Sequence, residues 1–307
     1  MSFEDTIIKF KNKKIYFIQP GGNHGDYLIY KGAEKIANKN GLDYTNLNYK
    51  EFMQGDYPDG SIFYIHGSGG YNSWCSGTPF NILKKAVDIS KSHVIQGSST
   101  VELNYDFLKN KFHSSLLMSK ASSINFIARE QSSYNILKEI LPENIDLIID
   151  KDTALYLNRD DIVQEYGQPD NNYNLRIVRQ DPEASFTLTD NLYSSAVLDP
   201  AYFCKSFEHW VRIHLAAKTI ITNRTHSSIL GAILGTPTTI AAGSYHKNKS
   251  IWEYSLKAMG VNWTSDEDFK LLLNNEKSII NIAPVFFKKS WKVNKFWNDK
   301  YLKIPNE

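Results

Sequence analysis

This sequence is poor in the residues that build metal, disulfide and membrane chemistry. Its two cysteines, Cys75 and Cys204, lie far apart with no CxxC spacing. That excludes a cysteine-based zinc site and fits a reducing compartment. The eight histidines show neither HxxxH nor HxH spacing, so no metal is expected. Neither sign of charge is in excess: 35 Lys and Arg against 33 Asp and Glu leave a formal net charge of +2. With no global field and no RNP, zinc-finger or basic-region pattern, no nucleic acid partner is expected. No apolar run approaches the roughly eighteen residues that span a bilayer. The leading MSFEDTIIKFKNKK lacks the apolar core of a signal peptide, so a cytoplasmic protein is expected. The first strand is followed by neither GxGxxG nor a Walker lysine. The NAD and P-loop readings are therefore poor, and no cofactor is expected.

What is present is the patterning of an α/β protein. A chain of 307 residues, 42% hydrophobic and 22% charged, is long enough for two soluble domains, each with its own core. β-rich runs recur near Ile15, Leu47, Phe63, Val94, Phe126 and Leu147, with helix-like stretches between most of them. Gly32, Ala33, Ile36 and Ala37 fall on one helical face, as do Ile82, Leu83, Ala86 and Val87. This βαβ rhythm predicts parallel, doubly wound sheets. The polar stretch Asn158 to Asn174, with Gly167 and Pro169 inside it, is the candidate linker. The pattern resumes near Leu175 with LRIVRQ, a helix over Phe207 to Ala217 and a helix over Ser250 to Met259. There is no repeat of fixed period, but two similar halves fit two Rossmann-like domains, 1–160 and 161–307, facing a cleft. The tail from Ala283 interleaves six aromatic residues, Phe286 to Tyr301, with lysines. That composition suits packing back across the domains or peripheral contact with anionic lipid heads at the inner face of the cell membrane.

The most informative stretch is TIITNRTHSSILGAILGTPTTI, Thr219 to Ile240. It reads as a buried strand, a polar turn with Arg224 and His226, and a small-residue helix stopped by Gly235 and Pro237. Side chains at the carboxyl end of a strand, beside the free N–H groups of a helix, sit where α/β proteins hold anions. The alternative for Arg224 is a guanidinium tied to a local carboxylate. Arg129 and Arg179 also end apolar strands, and three such forks suit a small ligand rich in carboxylate and phosphate. Two glycine-rich turns follow strands in the first half. PGGNHGD offers Gly22, Asn23 and Asp26, the last either a helix cap or an acceptor base; IHGSGGYN offers His66, Gly69, Gly70 and Asn72. Ser68 lacks the GxSxG elbow of a hydrolase nucleophile. In AAGSYHKNKS, His246 and Lys249 are further candidate anion contacts, and Lys247 reads equally as decoration of a solvated loop.

Seven of these segments, in order over most of the chain, resemble the polysaccharide pyruvyl transferases. They are Gly21 to Ile36, Ile65 to Trp74, Ala128 to Ser133, Asp152 to Leu157, Arg179 to Glu183, Asn223 to Pro237 and Ser244 to Ser255. The resemblance implies a GT-B-like pair of domains, the first on the acceptor side and the second on the donor side. It also implies transfer of the enolpyruvyl-derived unit of phosphoenolpyruvate to a sugar diol, on a glycan or lipid-linked saccharide, giving a pyruvate ketal and phosphate. Such enzymes act in making exopolysaccharide, capsule or cell-wall polymers. The family's Arg-Leu-His donor-binding turn falls on Arg224, Thr225 and His226, and its ARE arginine on Arg129. Threonine in place of leucine adds a hydroxyl that either supplies an extra donor or marks a changed ligand. His226 is then the candidate general acid, and Asp26 the candidate base. A nucleotide-sugar glycosyltransferase or a non-catalytic glycan-binding protein would share the architecture.

Overall fold

The computed structural model describes residues 1–72, 77–102, 112–181, 183 and 199–275. Trp74, Cys75 and the tail from Ala283 lie outside the described residues. The chain divides into two compact units, Met1–Leu157 and Asn158–Glu307.

The first unit is built on six parallel strands: β1 (Ile15–Gln19), β2 (Tyr44–Asn48), β3 (Ile62–Ile65), β4 (His93–Ser99), β5 (Ser123–Ala128) and β6 (Asp146–Ile149). Their order is β2-β1-β3-β4-β5-β6. The order in which successive strands are added reverses between β1 and β3, so the carboxyl ends of those two parallel strands flank the switch point where such sheets take ligands. Both glycine turns leave from these two ends. Alternation along the strands feeds two cores. Phe63 and Ile65 join Ile82, Leu83 and Phe126 on one face, while Ile62 and Tyr64 join Phe17, Ala33 and Ile36 on the other. The helix Asp26–Lys39 reaches its neighbours through Gly32. A Cβ there would stand 1.9 Å from the carbonyl oxygen of Thr153, so only glycine permits this approach.

The second unit carries four parallel strands in the order β10-β9-β8-β7: β7 (Tyr173–Ile177), β8 (Ala217–Thr222), β9 (Thr238–Ala241) and β10 (Asn262–Thr264). The small-residue helix Thr225–Leu234 packs on β8 and β9, and a Cβ on Gly231 would lie 2.3 Å from Thr238 Oγ1. Gly235 ends it with a φ of 71°. The candidate linker is corrected: it contains the helix Arg159–Tyr166. Asn158 and Asp161 form a reciprocal capping box, and Ile162 and Tyr166 bury one face. The expected helix over Ser250 to Met259 starts earlier, at Lys247, and runs on through wider and tighter turns to Met259. The last strand and the helix Asp266–Asn275, whose Phe269 and Leu273 pack on Val178 and Ile221, were not foreseen.

Candidate functional site

The carboxyl ends of β7 and β8 carry a buried chain of alternating charges. Arg224 opens the Thr225–Leu234 helix and donates from Nε to Asp199 Oδ1 (3.0 Å) and from Nη2 to Asp199 Oδ2 (2.6 Å). Its Nη1 pairs with Asp181 Oδ2 at 2.8 Å. The other oxygen of Asp181 lies 2.7 Å from Arg179 Nε, close but off the hydrogen-bond line. Arg179 Nη1 donates to Glu183 Oε2, and Lys247 Nζ donates to that same oxygen. Three cations thus meet three carboxylates. Burial alone would raise the Asp181 and Glu183 carboxyls, but Arg179, with Arg224 beside Asp181 and Lys247 beside Glu183, holds both below their ordinary range. Burial likewise opposes the charge on Arg224, and Asp199 and Asp181 outweigh it, so its pKa is raised.

Arg224 is therefore tied to local carboxylates, and its fork is engaged by Asp199 rather than presented open. Of the sequence candidates, Arg179 and Arg224 are brought together, and Lys247, which by sequence reads equally as an anion contact or as loop decoration, joins them. Lys249 does not. Its ammonium sits 4.4 Å and 4.5 Å from the rings of Trp252 and Trp263 and pairs with Glu253 at 3.6 Å. Residues two apart on a helix point to opposite sides, which is why one lysine is buried and the other is not.

A polar scaffold holds these strand ends. Asn248 donates from Nδ2 to the carbonyls of Asn223 (2.8 Å) and Ala241 (2.9 Å), and its Oδ1 accepts from the Thr225 hydroxyl (2.6 Å). Asn223 Oδ1 in turn accepts from Arg179 N. The hydroxyl that distinguishes Thr225 is thus spent on fastening the turn. His226 is half-buried in the first turn of the helix that Arg224 opens. His246 opens the Lys247–Ile251 helix, its ring 5.3 Å from that of Tyr245.

In the first unit the glycine turns are braced from within. Asp26 Oδ2 accepts from Asn23 N at 2.8 Å, Gly25 supplies the helix cap, and a Cβ on Gly22 would strike the Asp26 carboxylate at 2.2 Å. In the second turn, Ser68 Oγ accepts from Gly70 N and Asn72 Nδ2 donates to Gly69 O. Gly69 and Gly70 remain half-buried, whereas Asn72 is buried. His66 does not line this turn. It is wholly buried, ringed by Phe17, Tyr30 and Tyr64 at 5.5, 4.5 and 4.9 Å. Burial lowers its pKa to about 3. The signal was in the pleat: Ile62, Tyr64 and His66 share one face of the strand and its extension. Arg129 is buried too, donating from Nη1 to Asp152 (2.7 Å) and from Nε to Thr100 (2.7 Å).

Among the described residues no group of His, Cys, Asp and Glu could hold a metal ion, and no helix is long and apolar enough to cross a membrane. The family profile for polysaccharide pyruvyl transferases matches residues 23–245, from the first glycine turn to the threshold of Lys247. The chain belongs to the polysaccharide pyruvyl transferase family. No curated protein is similar enough to match it. The chain is similar to the crystal structure of an uncharacterized protein from Klebsiella pneumoniae, with a TM-score of 0.62 and 18% identity over 85% of this chain and 96% of that one. That likeness is one of fold. A variant of the wall teichoic acid polymerase TagF aligns at a TM-score of 0.33 and 12% identity, over 99% of this chain and 89% of that one, too weak to carry an argument. In this member of the family the Arg224-Thr225-His226 turn, the buried carboxylates and Asn248 form one connected assembly in the second unit.

Proposed function

We propose that this protein moves the enolpyruvyl-derived unit of phosphoenolpyruvate onto a sugar diol, releasing phosphate and leaving a pyruvate ketal on a surface polysaccharide or its lipid-linked precursor. The observation that carries the reading is the clustering of Arg179 and Arg224 at strand ends, with His226 in the adjoining helical turn, all three within the span that matches the family, and of Lys247 just beyond it. Phosphoenolpyruvate bears a carboxylate and a phosphate, and guanidinium and ammonium groups suit both. Ketal formation requires a proton on the methylene carbon. The resulting oxocarbenium-like centre accepts one sugar hydroxyl, phosphate departs, and the second hydroxyl closes the ring as both hydroxyl protons are lost. His226, whose imidazole is suited to proton transfer and which sits in the helical turn beside Arg224, is assigned as the proton donor. Asp26 is not assigned as the base, because its carboxylate braces its own turn.

The test is incubation with phosphoenolpyruvate and a panel of lipid-linked or synthetic galactosides, glucosides and N-acetylhexosamines, following free phosphate and mass gain on the sugar. Phosphate release coupled to a mass gain is expected, and neither with any acceptor class counts against the reading. In His226→Gln, donor binding persists and turnover is lost; an undiminished rate removes His226 from the acid role.

A further inference from the structure

The three carboxylates of the charge chain are not equivalent. Asp199 is wholly buried and fixed by two guanidinium hydrogen bonds and by the Gln180 and Ala201 N–H groups. The Asp181 and Glu183 side chains keep 21% and 12% of their surface open to solvent. Each bridges two cations: Asp181 links Arg224 to Arg179, and Glu183 links Arg179 to Lys247. The backbone of Glu183 is held separately, its carbonyl accepting from Ser244 N at 3.1 Å, so its side chain can leave the cations while its own backbone stays in place.

We propose that Arg224 Nη1, Arg179 and Lys247 form a single site for a ligand with two acid groups, and that Asp181 and Glu183 are internal stand-ins for those groups, displaced when the ligand binds. Asp199 stays in place as the permanent partner of the inner edge of Arg224. The arrangement keeps buried cations neutralised in the free protein, where bare charges would carry a large desolvation cost. It also makes the protein's own carboxylates competitors of any incoming anion. A tethered competitor acts at an effective concentration of roughly millimolar or more, so it screens out weakly bound single anions and favours a ligand that replaces both carboxylates together. That the ligand is phosphoenolpyruvate rests on the pyruvyl-transfer reading; that it carries two acid groups rests on the paired bridges.

The experiment compares the unaltered protein with the Asp181→Asn/Glu183→Gln double variant, the same variant carrying Lys247→Met, and Glu267→Gln as a control for an exposed acid. Inorganic phosphate, pyruvate and phosphoenolpyruvate are titrated calorimetrically, with circular dichroism confirming the fold. The double variant is expected to bind phosphate and phosphoenolpyruvate at least about ten-fold tighter. Lys247→Met should reverse most of that gain, and Glu267→Gln should produce none. A folded double variant with unchanged or weaker anion affinity overturns the proposal, as does an equal gain in Glu267→Gln. If the double variant does not fold, Asp181→Asn alone, at the more exposed carboxylate, is judged by the same criterion. Tighter phosphate binding without turnover of phosphoenolpyruvate would uphold the stand-in and sink the pyruvyl-transfer reading; turnover with no tightening would do the reverse.

Discussion

Replacing Arg224 should cost the second unit far more stability than an exposed arginine would. The guanidinium makes two hydrogen bonds to Asp199, which has no exposed surface, and pairs with Asp181. In Arg224→Met the aliphatic volume is kept, but among the described residues Asp199 is left with the N–H groups of Gln180 and Ala201 as partners. Breaking a buried pair from one side costs about 3–5 kcal/mol, because a charge is left without its counter-ion. Asp199→Asn removes that charge while preserving shape, and the Arg224→Met/Asp199→Asn double variant should be less damaged than the sum of the singles by about 2 kcal/mol. Urea unfolding followed by tryptophan fluorescence suits the measurement, since Trp210, Trp252 and Trp263 all belong to this unit. A loss below about 1 kcal/mol in Arg224→Met, with strictly additive singles, would refute the buried-pair argument and return Arg224 to the role of a free ligand fork.

Acid should destabilise both units through histidines held neutral by burial. His66 and His214 have native pKa values lowered from 6.5 to about 3 and about 4, chiefly by desolvation. Below pH 6.5 the unfolded chain takes up protons that the native state refuses, so stability is full above that pH and falls until the native values are reached. At pH 5 each histidine accounts for about 2 kcal/mol, and His66→Phe should remove its share; an unchanged pH dependence of first-unit melting counts against this. Gly32→Ala should destabilise the first unit by about 1–3 kcal/mol or more, since the added methyl meets the Thr153 backbone; an unshifted melting temperature would show that the helix moves freely. Thr225→Val should cost about 1–3 kcal/mol by leaving the buried Asn248 oxygen without its donor. A neutral result by chemical denaturation would mean the hydroxyl is not a fastening.

The parallel sheets, both glycine turns and the strand-turn-helix around Arg224 were written in local pattern. Apolar β-branched runs, glycine stops and helical periodicity are properties of neighbouring residues, and they survive without tertiary information. Ordered motifs along the chain likewise pointed to the family that the profile match establishes. Partners were not legible. Arg224 was placed at a strand end, but its pairing with Asp199, 25 residues back, depends on where the fold sets the short helix Pro200–Phe203 that Asp199 caps. Lys247 and Lys249 have the same local chemistry, and only the rotation of their helix against the sheet decided which one meets Glu183 and which one meets the indoles. His66 shows the converse: its face was fixed by strand alternation, yet its glycine neighbours suggested an open turn. Local sequence sets backbone geometry because φ and ψ preferences act over a few residues. The choice between a buried ion pair, an anion site and a brace belongs to tertiary structure, because charges interact through space with whatever the fold brings within a few ångströms.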